Sequence, residues 1–456
     1  MTATPSLPPA PPDATDATAL LSDWIAGLRD DDLGERAATW ASHALLDWLA
    51  VAIAGSAEPL VQMLAEEYGG SGGQACTLLA RGAGARPQDA ALINGAAGHA
   101  LDFDDVASRM FGHPSVPVIP AALALAQARG ATGADLLRAI VVGHEVESRV
   151  GEMVGPSHYL HGFHATGTVG TLGAAAACAS LLRLDAGRTA HALGLAATQA
   201  AGLKCTFGTM AKPLHAGKAA MNGLMAAQLA ARGFTANPTA IECEQGFART
   251  LAPVSRPLAP IDTRAGFAVE ATLFKYHAAC YLTHSAIEAI RQLRAQHGLT
   301  LDALESMRIT VALNHRGVCD IAEPDTGLAL KFSLQQLATL ALDGAATASL
   351  DLYTDATARD PRYAQARRRV QLVFVDAEDR NTAQVELHTR DGRRLRQSAN
   401  VAVPATDLPA QWERLVAKAG AIATPVLGAA RFAQMLEAVR TLRAAPSLQP
   451  LLHAIA

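Results

Sequence analysis

Histidine and lysine residues stand at the edges of several Ala-rich segments, where their side chains would be available for acid-base chemistry. His113 in GHPSVPVIPAALAL, His164 in GFHATGTVGTLGAAAA and Lys212 in GTMAKPLHAGKAAMNG each come directly before such a segment. Pro114 and Pro213 favour an extended conformation at the residues that precede them. Because helix N-termini offer unpaired N–H groups and a positive partial charge, several of them converging would form a receptor for carboxylates or phosphates. Histidines and lysines also cap loops in ordinary helical proteins, but the recurrence of the arrangement favours a site.

A run of carboxylates follows a predicted helix in the segment HALDFDDV, which contains Asp102, Asp104 and Asp105. Carboxylates near a helix C-terminus are locally unfavourable because the helix dipole is already negative there. Such a placement suggests that at least one of them is used. We expect Asp102 to hold a histidine ring in orientation, and a second carboxylate to cap a helix or to pair with arginine.

Lysine is rare in this chain, since only six of the 38 basic residues are lysines. Lys204, Lys212 and Lys218 fall in one short segment, and Lys275 lies in the hydrophobic stretch FKYHAACYLTH. Lysine differs from arginine in being a compact, titratable point charge. We therefore expect Lys212 and Lys275 to bind an anion, and we interpret Cys280, in the same stretch as Lys275, as a thiol that lines the site.

Metal and cofactor chemistry is poorly supported by the motifs. HYLHGFH (158–164) contains three histidines at the spacing of zinc ligands. However, a glycine and the start of a predicted helix interrupt the segment, so the three rings would not share one helical face. DFDD resembles the acidic motif of terpene cyclases, whose pockets need aromatic walls, and the chain has only 4 Trp, 6 Tyr and 11 Phe. GxxxxGK[ST] and a strand-borne GxGxxG are both missing. We predict an enzyme without a metal or cofactor.

The elements that must position these residues are mainly helical. Apolar residues recur with helical spacing over most of the chain, whereas β-branched alternation appears in MRITVAL (307–313), VQLVFVD (370–376) and TAQVELHT (382–389). The fold class is therefore mainly α, with a large all-α domain and a smaller α+β lid domain that contains an antiparallel sheet. The predicted segments are a disordered tail (1–16), the all-α domain (17–265), the lid (266–404) and C-terminal helices that pack back on the all-α domain (405–456).

Composition limits the classes of function. A net charge of −4 with interspersed signs gives no basic stripe for nucleic acid or for a membrane surface. The first residues lack the basic and apolar regions of a signal peptide, and no apolar run looks long enough to span a membrane. The six cysteines stand singly, which fits free thiols in a reducing cytoplasm. We expect a cytoplasmic protein that acts on a small molecule.

Five ordered blocks of the sequence resemble the MmgE/PrpD family: GHALDFDD, GHPSVPVIPA, HGFHATGTVGTLGAA, FGTMAKPLHAGKAA and FKYHAACYLTHSAIEA. The resemblance spans nearly the whole chain, and it implies a helical domain, an α+β lid and a homodimer. The family includes 2-methylcitrate dehydratase, cis-aconitate decarboxylase and iminodisuccinate epimerase. Carried over residue by residue, the resemblance implies a catalytic set of Asp102, His113, His164 and Lys212, with Lys275 supplied by the lid to bind substrate.

The chain departs from the decarboxylases of this family at three positions. Cys280 stands where the animal decarboxylase has histidine, Gln336 where tyrosine is common, and Val106 where threonine follows DFDD. We expect Cys280 and Gln336 to contact the substrate and to set its pose.

These departures weaken the case for decarboxylation and leave the acid-base residues intact. The sequence therefore favours a hydro-lyase that dehydrates a 2-methylcitrate-like hydroxy acid. An epimerase of an iminodisuccinate-like acid and a cis-aconitate-type decarboxylase remain alternatives. A metabolite-binding structural dimer is the alternative that is not an enzyme.

Overall fold

The structure is a computed structural model, and it describes residues 16–70, 76–377 and 379–456. The predicted tail (1–16) lies outside the described residues except for Asp16. The chain forms two compact units. Unit 1 contains the chain up to Thr272 together with Ala423–Ala456, and unit 2 contains Leu273–Ile422. The sequence placed the corresponding boundaries at 265–266 and 404–405.

Unit 1 is built from helices, with one small two-stranded ribbon, β1 (Cys76–Thr77) and β2 (Gly84–Ala85). Its helices before Thr272 are α1 (Ala17–Gly27), α2 (Gly34–Gly55), α3 (Pro59–Tyr68), α4 (Pro87–Ala100), α5 (Ser115–Arg129), α6 (Gly133–Leu160), α7 (Ala165–Leu181), α8 (Ala186–Ala197), α9 (Ala211–Ala231) and α10 (Phe247–Leu251).

Small residues allow the helices of unit 1 to pack closely. Helices α4, α5, α7 and α9 pack against one another. A Cβ atom added to Gly217 of α9 would collide with the carbonyl of Leu92 in α4, and one added to Gly223 would meet the backbone of α7 at Ala175. The four predicted catalytic residues, Asp102, His113, His164 and Lys212, lie at the ends of these same four helices, so the tight packing of the helices fixes the spacing of the ends.

An apolar core fills the space around α6 and α7. Val142, Val146 and Val150 of α6 and Val169 and Leu172 of α7 are fully buried. Their spacing places them on one face of each helix, as expected for amphipathic packing.

Among the described residues, α2 is the one helix that is long and apolar enough to cross a membrane. The sequence had suggested that no apolar segment reached this length. Of the most apolar window of α2, 83% is buried inside the protein. His43 and Asp47 are also buried on this helix. Length and composition alone therefore do not distinguish α2 from a core helix, and its burial in unit 1 accounts for its apolar character.

Unit 2 combines short helices with a four-stranded sheet. Its elements are α11 (His284–His297), β3 (Leu304–Ala312), α12 (Gly327–Leu330), α13 (Leu334–Asp343), α14 (Asp355–Arg359), α15 (Pro361–Arg367), β4 (Val370–Val375), β5 (Thr382–Thr389), β6 (Arg394–Asn400) and most of α16 (Leu408–Leu427). The strand order is β4-β3-β5-β6.

The sheet of unit 2 is mixed, whereas the sequence predicted an antiparallel one. β3 pairs antiparallel with β5, and β5 with β6, but β3 and β4 run parallel, with Ile309 opposite Leu372. Helices α12 to α15 lie between β3 and β4 in the chain, and such a crossover returns the next strand in the same direction. Alternation within each strand does not reveal this direction.

The last helices, α17 (Ala429–Arg440) and α18 (Gln449–Ile455), belong to unit 1, where α17 packs on α2 and on α18. The observed fold is therefore mainly α with a smaller α+β unit, which confirms the predicted fold class.

Candidate active site

Four helix ends of unit 1 place the predicted acid-base residues close together. Asp102 follows the C-terminal end of α4, and His113 lies two residues before α5. His164 is the N-cap residue of α7, and Lys212 lies in the first turn of α9. The convergence of three helix N-termini that the sequence predicted is present in unit 1.

Asp104 lies between two histidine rings and is fully buried. The His99 Nδ1 atom donates a hydrogen bond to Asp104 Oδ2 at 2.9 Å. The His113 Nδ1 atom lies 3.0 Å from the same oxygen, but its geometry is not that of a hydrogen bond. The contact is electrostatic, as is common for catalytic pairs before substrate binds.

The two rings set the charge of Asp104. Burial alone would raise the pKa of this carboxyl, but His113 and His99 outweigh burial and hold the pKa well below its usual range. Asp104 is therefore a carboxylate. Burial lowers the pKa of His99 to about 4, with Lys212 and His113 lowering it further against the pull of Asp104, so His99 is a neutral ring.

Asp102 faces the more open side of the cluster, with 47% of its side chain exposed. The Lys212 Nζ atom donates a hydrogen bond to Asp102 Oδ1 at 2.9 Å. The His113 Nε2 atom lies 3.7 Å from the same oxygen. Asp102 also has φ of 50°, a conformation that non-glycine residues rarely adopt and that clusters at functional sites.

His164 stands beside this group in an environment that disfavours a positive charge. Its ring stacks on His99 at a centroid distance of 5.6 Å, and its Nδ1 atom lies 3.2 Å from His215 Nδ1. Burial lowers the pKa of His164 far below the ordinary value, and the neighbouring His99 and Lys212 lower it further. His164 is therefore a neutral imidazole in the absence of a bound anion.

An aromatic ring covers one side of the same group. Phe207 meets His164 edge-on at a centroid distance of 4.9 Å, and the Lys212 Nζ atom lies 5.6 Å from the Phe207 ring centroid. The second distance is within the range of a cation–π contact. Phe207 thus helps to hold both polar groups in place.

The backbone before His113 is fixed by contacts with α7. The His113 N–H group donates to Thr166 Oγ1 at 3.1 Å. A Cβ atom added to Gly112 would lie 2.9 Å from the same oxygen and 3.0 Å from the Thr166 nitrogen. Only glycine permits this approach, so Gly112 allows the His113 backbone to sit against the start of α7.

Asp105 supports the start of α5 from behind the site. Its buried carboxyl oxygens accept from the Ser115 N–H at 3.2 Å and from the Ser115 hydroxyl at 2.6 Å. Burial and the nearby Asp47 raise the pKa of Asp105 well above its usual range. Asp105 fills the capping role that the sequence assigned to one carboxylate of this run.

The other two aspartates divide the histidine contacts between them. Asp102, which was expected to orient a histidine, binds Lys212 and lies 3.7 Å from His113 Nε2, while Asp104 accepts from His99 and faces His113 Nδ1. The backbone accounts for this division. Asp102 follows α4 in a left-handed conformation, and the chain turns there so that the next residues enter the core. Asp104 is consequently 0% exposed.

Sequence reasoning missed three members of the site. His99 belongs to the GHALDFDD block, and its position five residues before Asp104 was a usable signal. His215 and Phe207 gave no such signal, because they reach the cluster through the fold of α9 and of the segment before it.

His99, Asp102, Asp104 and His113 each offer one ligand atom, and these atoms lie within 4.8 Å of one another. The donor set is chemically suitable for a metal ion. However, the Lys212 ammonium group already contacts Asp102 at 2.9 Å and would repel a second cation there. The residues present therefore fit a metal poorly, and the absence of a metal from the reaction stays a prediction.

The predicted lid residues lie in unit 2. Lys275 is buried, with 2% of its surface exposed, and Cys280 is partly buried. Gln336 is fully buried, donating from Nε2 to the carbonyls of Thr357 and Ala358 and accepting at Oε1 from Arg367. These bonds favour a structural role for Gln336, and the substrate contacts predicted for all three residues stay predictions.

The arrangement in unit 1 can bind an anion and transfer a proton. The Lys212 ammonium group and the unpaired N–H groups at the start of α7 supply positive charge. His113 offers a ring nitrogen toward the Asp102 side, with a carboxylate behind it. This combination is typical of acid-base chemistry beside a carboxylate.

Comparison with known proteins identifies the family of the chain. The family model for the MmgE/PrpD N-terminal domain matches residues 19–257, and the model for the MmgE/PrpD C-terminal domain matches residues 277–443. A cis-aconitate decarboxylase-like protein of Aspergillus oryzae is 31% identical over 337 residues, which cover 69% of this chain and 68% of that protein.

Two further relatives match over shorter lengths. The cis-aconitate decarboxylase of Homo sapiens is 35% identical over 179 residues, which cover 38% of this chain and 37% of that enzyme. The cis-aconitate decarboxylase of Aspergillus terreus is 29% identical over 298 residues, which cover 61% of this chain and 60% of that enzyme. The chain thus spans less than two thirds of each of these enzymes. Both halves of the family pattern are nevertheless present, and the chain belongs to the MmgE/PrpD family as a lyase-type enzyme.

Proposed function

We propose that this chain is a cofactor-independent lyase that acts on a small polycarboxylic acid, with decarboxylation of a cis-aconitate-like acid as its first candidate reaction. The names of its relatives support this order, which reverses the order that the sequence favoured. The observation that carries the proposal is the contact of His113 with the Asp104 carboxylate, beside Lys212 and Asp102.

Substrate binding follows from the charges of the site. A substrate carboxylate competes with Asp102 for the Lys212 ammonium group, because Asp102 is half exposed and can give way. The start of α7 offers a second anion position, since the N–H groups of Ala165 and Thr166 make no backbone hydrogen bond with described residues, whereas that of Gly167 donates to the His164 carbonyl. Two such positions select a substrate with at least two carboxylates.

Proton transfer is assigned to His113. The His113 Nδ1 atom lies 3.0 Å from the Asp104 carboxylate, which can offset a positive charge on this ring, whereas burial and the neighbouring His99 and Lys212 disfavour a charge on His164. In decarboxylation the carbon–carbon bond to one carboxylate breaks, and its electron pair moves into the adjacent unsaturated acid. Carbon dioxide leaves, the His113 Nε2–H group protonates carbon, and the ring regains its proton from water.

The second candidate reaction is dehydration of a 2-methylcitrate-like hydroxy acid. The pairing of His113 and His164 around His99 favours it, because dehydration needs one group to remove a proton and another to protonate the departing hydroxyl. The neutral ring of His164 would have to act as the base in this reaction.

The setting of the enzyme is part of the proposal. The resemblance implies a homodimer, and the single cysteines favour a cytoplasmic location. Size-exclusion chromatography with light scattering would test the dimer, for which the expected mass is twice that of the chain.

Product analysis tests the proposed function. Purified enzyme is incubated separately with cis-aconitate, 2-methylcitrate, citrate and an amino-dicarboxylate, and products are followed by NMR together with carbon dioxide release. The expected result is carbon dioxide release from cis-aconitate, with kcat/KM about 10- to 100-fold lower in Lys212→Met. Water loss from 2-methylcitrate without carbon dioxide release would replace the first candidate by the second. No turnover of any of these acids would overturn the proposal.

A further inference from the structure

A cavity in unit 1 shares none of its lining residues with the cluster around His113. It has a volume of about 400 Å³, which is within the range of small-molecule sites. The loop before α5, the last turns of α6 and the segment 256–259 form its walls. Three arginines, Arg109, Arg149 and Arg256, line it together with a single acid, Glu152.

A kink in α6 shapes one wall of this cavity. Gly155 has φ of 56° and ψ of −164°, and Pro156, which follows, has no N–H group to donate within the helix. The carbonyl of Met153, in the same turn, accepts a hydrogen bond from the Arg256 N–H at 2.7 Å. The Ser157 hydroxyl donates to the carbonyl of Val254 at 2.5 Å. These bonds hold the backbone that carries Arg256 against the kink.

The three arginines differ in how far their hydrogen bonds are satisfied. Arg109 donates to both oxygens of Glu152, at 2.6 and 2.9 Å. Arg149, with 8% of its side chain exposed, donates from Nε to Glu145 at 2.6 Å and from Nη1 to the carbonyl of Pro260 at 3.2 Å.

Two donor groups of the cavity are unused in the described part of the chain. The Arg149 Nη2 group makes no hydrogen bond there. Arg256 is exposed, and its guanidinium makes neither a hydrogen bond nor an ion pair with any described residue. Guanidinium groups with free N–H donors match the geometry of a carboxylate.

Apolar side chains face the same space. Phe111, Met153 and Leu258 line the cavity, alongside Pro156 and Pro257. An inorganic anion would leave this apolar surface exposed to water, whereas an organic acid with an apolar body would bury it.

We propose that this cavity binds a small monocarboxylic acid with an apolar body, its carboxylate on Arg256 and Arg149 and its body against Phe111, Met153 and Leu258. The site is separate from the proton-transfer cluster and does not depend on which reaction that cluster catalyses.

The cavity also contacts the loop that carries the acid-base residues. Arg109 and Phe111 belong to the segment between Asp102 and His113, and Phe111 has φ of 56°. A Cβ atom added to Gly151 of α6 would collide with the backbone of this loop at Met110, so the loop packs directly on α6. A ligand in the cavity would bridge the loop and α6 and restrict opening of the loop.

Calorimetric titration of the full-length protein tests the proposal with phenylacetate, neutral phenylacetamide and inorganic phosphate. We expect phenylacetate to bind and the amide and phosphate to bind much more weakly. Arg256→Ala should weaken phenylacetate binding by at least about tenfold, since it removes a charged hydrogen-bond donor. Arg232→Ala is the matched control, because Arg232 is exposed at the end of α9 and makes no side-chain hydrogen bond with described residues.

Hydrogen exchange supplies a second readout. Phenylacetate should slow amide exchange in residues 103–112 of the wild-type protein and leave it unchanged in Arg256→Ala. The proposal is overturned if phenylacetate does not bind at millimolar concentration, or if Arg256→Ala binds it as well as the wild type does. Equal binding of phenylacetamide or of phosphate would also overturn it, because the site would then select only an apolar body or only an anion. None of these measurements requires turnover.

Discussion

Both units bury a pair of histidines in edge contact with an acid beside them, and the two pairs differ in what surrounds them. In unit 1 His99 and His113 lie 4.6 Å apart between centroids, next to Asp104. In unit 2 His277 and His284 lie 4.9 Å apart, next to Glu288. The rings and the acids are of the same kinds, so the difference in use has to come from their partners.

The pair in unit 2 is closed and neutralised. His277 Nδ1 contacts the Thr347 hydroxyl at 2.7 Å, and His284 Nε2 donates to the carbonyl of Ala279 at 3.2 Å. Glu288 also forms an ion pair with Arg414. Although burial opposes it, the contact with His277 lowers the pKa of Glu288 to about 2.

The pair in unit 1 is more accessible. Each pair has a buried ring nitrogen without a hydrogen-bond partner, His99 Nε2 in unit 1 and His277 Nε2 in unit 2, but 14% of the His113 side chain is exposed, against 3% of His277. The groups beside it are also accessible, with 15% of Lys212 and 47% of Asp102 exposed. We therefore expect the accessibility of the rings and of the charged groups beside them, rather than an unpaired ring nitrogen, to distinguish a reactive pair from a structural one.

Removing one ring from each pair should give the largest contrast. His113→Asn should lower kcat by about 10²- to 10⁴-fold, because the ring transfers the proton. His277→Asn should leave kcat nearly unchanged and lower the free energy of unfolding by about 1–3 kcal/mol, because it leaves buried groups without partners. Steady-state kinetics and urea unfolding measure both. Equal losses of kcat in the two variants would contradict the comparison.

Removing the acid of each pair should have the next largest effect. Asp104→Asn should lower kcat by roughly 10- to 100-fold with little change in KM, since Asp104 is a positioning residue behind His113. The kcat–pH profile should also shift to lower pH, because the counter-charge to a protonated ring is lost. Glu288→Gln is the matched variant in unit 2. A pH profile identical to that of the wild type in Asp104→Asn would assign Asp104 a purely structural role.

Lys212 should matter for binding rather than for the integrity of the fold. Lys212→Met should lower kcat/KM by about 10- to 100-fold, the effect expected for losing a hydrogen bond to a charged group. Lys218→Met changes a lysine of the same helix that lies outside the cluster, and it should retain activity. Loss of activity in both variants would indicate that α9 as a whole had been disturbed.

The depressed pKa of His99 predicts an acid-dependent loss of stability. The folded pKa is about 4, below the ordinary value of 6.5, so the unfolded state binds the proton more readily. This contribution is fully present above pH 6.5 and is lost as pH falls toward 4, at most about 3 kcal/mol. His99→Gln should flatten the pH dependence of the unfolding free energy over that window. An unchanged slope would show that His99 is not neutral in the fold.

Chelation should have the smallest effect, because Lys212 occupies the position beside Asp102 where a metal would need to bind. Activity after prolonged dialysis against EDTA should equal that of the untreated enzyme. Loss of activity that zinc restores would mean that the four donors around His113 hold a metal after all.

Most of the fold could be predicted from the sequence, and the exceptions have physical causes. Runs of alanine and glycine at helical spacing predicted the close packing that Gly217 and Gly223 show in α9. The parallel pairing of β3 and β4 could not be predicted, because strand direction depends on the path of the intervening helices and not on alternation within a strand.

The site was predicted in its residue types more fully than in its contacts. Asp102, His113, His164 and Lys212 were identified from their positions at helix ends, and they do lie together. The role of Asp104 depends on the left-handed backbone at Asp102, which residue types do not reveal. His99 lies inside a helix, where a histidine is equally typical of ordinary core packing.

Proton transfer to carbon by His113 is the central claim, and isotope incorporation tests it most directly. The enzyme would be run in deuterium oxide with cis-aconitate, and the product examined by NMR and mass spectrometry. The account predicts one solvent deuterium in the wild-type product, on the carbon of the unsaturated acid that receives the electron pair of the broken bond, and no labelled product from His113→Asn above the uncatalysed background. Labelled product formed by His113→Asn at the wild-type rate would contradict it.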